Sequence, residues 1–181
     1  MERSLTHIAL FAALIAVLGL VPKIDLAAGV PVTAQSLGIM LCGTVLGAKR
    51  GALAVLLFLA LVAIGLPLLS GGRGGLGVFA GPSVGYLIGF PVAAFVAGWV
   101  MQRTTLSPGW AATAGAIIGG VGVLSLFGIV GLSVMLDKSL SQAAVIALAF
   151  LPGDILKAVL AGLITQSIAK ARPDALLSRA R

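Results

Sequence analysis

Asp154 and Lys157 stand three positions apart inside an otherwise uncharged apolar run near the end of the 181-residue sequence. On a helix that spacing puts both side chains on one face, where they can pair. An ionisable group at the centre of a membrane helix costs about 2.5–3.5 kcal/mol even on insertion scales, so something must offset it. Either the pair neutralises itself and fixes helix packing, or it faces a cavity. In a cavity it supplies one anionic acceptor and one cationic donor, which suits a neutral polar head with N–H donors beside a carbonyl, such as a cyclic urea. As an acid and a base, the same two groups could also serve an intramembrane enzyme. A proton relay needs more intramembrane acids or histidines than this segment carries. Pro152-Gly153 just ahead can break the helix. If the helix restarts at Pro152, Asp154 falls in its first turn, where the dipole and unpaired backbone N–H groups favour a carboxylate.

A second group of residues lies in Ser70-Gly71-Gly72-Arg73-Gly74-Gly75-Leu76-Gly77. Glycine is the residue of positive φ and of close backbone approach, so Gly72, Gly74 and Gly75 mark either a ligand-cradling turn or a flexible connector. Arg73, or exposed backbone N–H groups beside it, could hold a carboxylate. Tyr86 follows closely, and its hydroxyl either enters a site or snorkels to the interface. Gly75-x-Gly77-x-x-Ala80 resembles a dinucleotide fingerprint in form, but no strand precedes it and no acidic residue follows within about 20 positions. No phosphate-binding Gly-x-x-x-x-Gly-Lys-Ser/Thr loop occurs, so P-loop ATP hydrolysis is excluded for this chain. His7 has no neighbouring ligand residue and Cys42 is alone in an apolar run, so neither a metal site nor a disulfide is expected.

The elements that position these groups follow from composition. Residues are 60% hydrophobic and 9% charged, with a mean hydropathy of +1.18, whereas soluble domains are roughly half apolar and a quarter charged. An all-α, polytopic membrane protein is expected, because about 20 apolar residues carry a helix across the hydrocarbon core. Six apolar segments occur, at about 4–21, 34–48, 52–69, 83–101, 110–136 and 140–168, within one transmembrane domain covering 1–181. The first follows Arg3 but is long for a signal peptide and is treated as retained. With the N-terminus inside, Arg3, Lys49, Arg50, Arg103, Lys170, Arg172, Arg179 and Arg181 are cytoplasmic, while Lys23, Arg73 and Lys138 are outside. That distribution obeys the positive-inside rule and gives an N-in, C-in topology. The net charge of +7 therefore reads as topology, not as a nucleic-acid surface. Trp99 and Trp110 flank Arg103 as an aromatic anchor at the inner boundary. Glycines four apart (43 and 47; 81, 85 and 89; 115 and 119) predict close helix packing. Ala9, Ala12, Ala13 and Ala16 make a small-residue stripe on the first segment, either core or a docking surface for another membrane subunit.

Several blocks resemble the biotin-specific substrate-binding subunit of energy-coupling factor (ECF) transporters, the BioY family. They are Gly29-Val30-Pro31-Val32-Thr33-Ala34-Gln35-Ser36-Leu37-Gly38, Leu46-Gly47-Ala48-Lys49-Arg50-Gly51-Ala52, Gly65-Leu66-Pro67, Gly71-Gly72, Gly74-Gly75-Leu76-Gly77, Gly81-Pro82-Ser83-Val84-Gly85-Tyr86-Leu87-Ile88-Gly89-Phe90-Pro91 and Leu151-Pro152-Gly153-Asp154-Ile155-Leu156-Lys157. The last is the most specific, since it joins a helix break to the charged pair. The resemblance implies a six-helix S component in the cell membrane, not an enzyme, that captures biotin near the outer face. The ring would lie against Asp154 and Lys157 and the acid tail would point toward the loops, with Gln35, Tyr86 and the glycine-rich segment as further contacts. It also implies partners: a membrane T component, docking on the alanine stripe, and two ABC ATPase subunits that alone use ATP, with no cofactor on this chain. An S component for another vitamin is the nearest alternative, and an intramembrane enzyme using Asp154 and Lys157 the more distant one.

Overall fold

The computed structural model describes residues 2–25 and 30–179. Helix α1 (Glu2–Leu18) is followed by a two-stranded antiparallel ribbon, β1 (Ile24–Asp25) and β2 (Pro31–Val32), in which Ile24 pairs with Val32 and Asp25 with Pro31. Helices α2 (Gln35–Leu46) and α3 (Ala48–Ala63) meet at Gly47, whose φ of 86° turns the chain between them. Then come a short 3₁₀ turn (Leu76–Ala80), α4 (Val84–Arg103), α5 (Pro108–Gly115), α6 (Leu124–Met135), α7 (Leu140–Leu148) and α8 (Leu151–Ala171). A π-helical stretch, Ala116–Val123, joins α5 to α6 without interruption. Three helical runs are long and apolar enough to cross a membrane by length and composition: Val84–Arg103, Pro108–Met135 and Leu151–Ala171. Two shorter apolar helices cover Ser4–Leu18 and Gln35–Leu46.

The chain departs from the expected segments where proline dictates it. A single run over 140–168 is predicted from hydropathy, but α7 ends at Leu148 and α8 begins at Leu151. Pro152 lacks an N–H, and its ring would strike the carbonyl of residue 148 in a continuous helix. The intervening turn is tightened by Ala149 N–H to Ile146 O and Phe150 N–H to Ala147 O. The ribbon is a small local addition to the helical fold; two-residue strands carry no periodicity to read.

Packing is centred on α4, and glycine sets the approach distances. A Cβ on Gly98 would strike the backbone of Gly47 and Ala48, and one on Gly43 would strike Ala94 O. Gly85 meets Gly131 in the same way, and Gly119 meets Ala93 and Ala97. Without a hydrophobic force between helices in lipid, such close approach is what association depends on. Gly81, by contrast, has open space around it and joins no interface. The outer surface keeps large apolar side chains exposed, among them Leu53, Leu56, Leu126, Val130, Val134 and Leu163. That is the surface of a protein whose solvent is lipid.

Charges separate to the two ends of the bundle. At one end Arg50 Nε donates to Ser4 Oγ at 3.0 Å, Gln102 Oε1 accepts from Ala48 N–H at 3.3 Å and Arg179 donates to Leu106 O at 2.9 Å. The segment after α8 tucks beneath α2 here, with Ser178 donating to Thr44 O at 2.6 Å. Lys23 and Arg73 lie at the opposite end, with the ribbon and the glycine-rich segment. Arg3 and Arg181 lie outside the side chains described.

Candidate ligand-binding site

Helix α8 restarts as its proline requires, with Pro152 in its first turn and Asp154 buried there. Lys157 Nζ lies 2.9 Å from Asp154 Oδ1, and the two side chains are 14% and 12% exposed, so the pair is nearly but not wholly shielded. Ser36, on the first turn of α2, completes the constellation. Its Oγ accepts from Lys157 Nζ at 2.9 Å and lies 3.4 Å from Asp154 Oδ1. Among the described residues both side-chain bonds to Asp154 fall on Oδ1, which leaves Oδ2 as an acceptor for a guest.

These three groups form one wall of a recess that Gln35, Arg73 and Tyr86 also line. The ribbon residues Val30–Thr33 close one side, and Phe90, Leu124 and Phe150 supply apolar surface. The Tyr86 ring packs on Gly128, where any Cβ would collide with it, and tilts against Phe150 at a centroid distance of 5.7 Å. Its hydroxyl is buried with no hydrogen-bond partner among the described residues, as is the Ser83 Oγ one turn earlier. Buried polar atoms are almost always paired, so two orphans on one recess point to a guest with polar atoms of its own. Apolar walls with a few convergent polar groups are the usual make-up of a small-molecule site.

Gln35 lines the recess and also braces the backbone around it. Its Nε2 donates to Ile15 O at 3.1 Å and to Leu68 O at 3.0 Å, and its Oε1 accepts from Ser70 N–H at 3.0 Å. Both amide donors are used on backbone carbonyls, so the side chain ties α1, α2 and the segment before the glycines together. That segment is a tight hairpin, not a loose connector. Leu69 and Arg73 exchange backbone hydrogen bonds of 3.0 and 3.2 Å around Gly71 and Gly72, whose φ values of 80° and 69° close the turn. Gly74 lies hard against the backbone of Leu66 and Pro67. Gly72 shapes the hairpin, and neither it nor Gly74 or Gly75 is among the described residues that line the recess, whereas Arg73 is, with its Nε donating to Ser70 O at 3.2 Å. Of the α1 alanines, Ala9 and Ala13 face outward, Ala12 is buried in the core and Ala16 is half-buried. Among the described residues no group of side chains could hold a metal ion, and Cys42 is buried.

Comparisons with known proteins agree on one neighbourhood. A sequence model of the BioY family matches residues 2–174. A Rhodobacter capsulatus protein named biotin transporter BioY is 52% identical, over 99% of this chain and 100% of that one. A Rhizobium etli protein of the same name is 49% identical, covering 92% of each chain. The crystal structure at 2.1 Å of the S-component for biotin from an ECF-type ABC transporter superposes with a TM-score of 0.88, at 35% identity, over 93% of this chain and 92% of that one.

Proposed function

The chain belongs to the BioY family, and from that premise we propose that it is the biotin-capturing S component of an ECF-type importer in the cell membrane. The observation that carries this is the Asp154–Lys157–Ser36 constellation, held in a recess whose remaining polar atoms await partners. A cyclic urea offers two N–H donors and one carbonyl acceptor. Asp154 Oδ2 accepts from an N–H, the Lys157 ammonium donates to the carbonyl, and the Tyr86 and Ser83 hydroxyls serve the other polar edges. Phe90, Leu124 and Phe150 take the apolar body, and Arg73 at the hairpin takes the carboxylate of the tail. No bond of the ligand is broken in this scheme, so the chain acts as a receptor and not as an enzyme, and it needs no cofactor.

The surroundings of the pocket complete the reading. Six membrane crossings with both ends inside follow from the separation of cations to the two ends of the bundle. The pocket then opens outward, beneath the ribbon and the hairpin. A membrane T component and two ABC ATPases supply the energy, with the outward Ala9 and Ala13 face of α1 as the docking strip. The fold resembles an ECF S-component, and that assembly is the one in which such a subunit works.

Equilibrium binding of radiolabelled biotin to the detergent-purified protein tests the reading directly. Saturable one-to-one binding that unlabelled biotin displaces is expected. Failure of biotin to bind a folded preparation, with displacement achieved instead by another vitamin, would transfer the pocket to that ligand.

A further inference from the structure

At the end of the bundle opposite the ligand pocket, α3 and α4 frame a groove lined by three cations, Lys49, Arg50 and Arg103, together with Phe95, Trp99 and Gln102. Among the described residues no carboxylate lines it. Lys49 and Arg50 occupy the first turn of α3, which contains no acidic residue. That is the positive end of the helix dipole, where cations are disfavoured and an anion is stabilised. The sequence thus concentrates like charge at a point that the backbone already makes positive, and no carboxylate among the described residues lining the groove answers it. Arg50 is held in place by its Nε bond to Ser4 Oγ. Arg103 stands over the Trp99 ring with its guanidinium carbon 6.0 Å from the centroid. Gln102 uses its carbonyl on Ala48 N–H and retains its amide donors.

We propose that this groove binds the phosphate headgroup of an anionic phospholipid. Phe95, Trp99 and Arg103 recur every four residues on α4, so they line one helix face in steps of about 6 Å. Apolar ring, amphipathic ring and cation follow one another toward the helix end, in the order of acyl chain, interfacial glycerol and phosphate in a lipid. Phe95 and Trp99 are 42% and 49% exposed, so the described residues leave much of that face open. A free phosphate would use the three cations but would have no use for the aromatic wall above them. Basic pockets between membrane helices are where anionic headgroups settle.

The test uses the full chain purified in detergent, with lipid retention read by native mass spectrometry. Phosphatidylglycerol, phosphatidylcholine and chain-free glycerol phosphate are the probes, and biotin binding serves as the check on folding. Wild-type protein is expected to retain phosphatidylglycerol well above phosphatidylcholine and to ignore glycerol phosphate at the same concentration. Each cation near a membrane surface contributes about fivefold, so Lys49→Gln with Arg103→Gln is expected to lower phosphatidylglycerol affinity roughly 30-fold while biotin binding persists. Trp99→Ala is expected to weaken the lipid with the cations intact. Equal retention of the two lipids by the wild type overturns the proposal, and that measurement needs no variant. Glycerol phosphate binding as tightly as the lipid would make this a site for free anions instead. If the double variant loses assembly with partner subunits but keeps its lipid preference, the groove is a protein interface.

Discussion

The Lys157 ammonium lies 2.9 Å from both Asp154 Oδ1 and Ser36 Oγ, and this shared donor makes three residues from two distant helices behave as one group. Removing one member of a shielded ion pair strands the other, at a cost of about 3–5 kcal/mol. Asp154→Asn or Lys157→Ala is therefore expected to weaken biotin binding at least about tenfold in a protein that still folds, measured by equilibrium titration. Ser36→Ala leaves the ion pair intact and removes only one neutral contact, so a smaller loss is expected, on the order of the 0.5–1.5 kcal/mol of a typical hydrogen bond. Unchanged affinity in the two charge variants would separate the pair from the ligand. The charged members were legible in the sequence because an ionisable residue in an apolar run is costly wherever the chain folds. Ser36 and Ser83 were not, since a serine near a helix start looks the same whether it meets a lysine, a ligand or water. Gln35 shows the converse: the resemblance named it as a ligand contact, but only the tertiary arrangement reveals that backbone carbonyls consume its donors.

At the scale of elements, the restart of α8 was readable because proline acts locally, through a missing N–H and a clash four residues back. The ribbon was not readable, because its register depends on two short segments meeting across a loop. The four-residue glycine spacing gave several of the packing faces but not Gly98, where the backbone of Gly47 and Ala48 leaves no room for a side chain. Gly98→Ala is expected to destabilise the bundle by about 1–3 kcal/mol, the usual cost of overpacking, seen as a lower melting temperature in detergent. No change would mean that α3 and α4 can part without penalty. The alanine stripe of α1 divides between two jobs. Ala12 fills the core, whereas Ala9 and Ala13 look outward. Enlarging Ala9 and Ala13 to Leu is expected to leave biotin affinity unchanged and to impair co-purification with partner subunits. Survival of the complex would place the docking face on another helix.

For the molecule as a whole, the polar floor of the ligand recess and the basic groove lie at opposite ends of one bundle, joined through α4, which has Ser83 just before its start and Tyr86 in its first turn at one end and Arg103 in its last turn at the other. Among the described residues the charged side chains lining the recess are Asp154, Lys157 and Arg73, which sum to one positive charge. A guest with a single carboxylate brings that sum to zero. An electric field across the bilayer does work of about 2.3 kcal/mol per elementary charge per 100 mV, so it exerts no net pull on the filled recess but does act on the empty one. A single inward turnover at saturating biotin in vesicles clamped by potassium gradients should then be flat across imposed voltages, with any voltage sensitivity confined to the return of the unloaded subunit. A steep dependence under saturation would show that Arg73 does not travel as the counterion of the cargo.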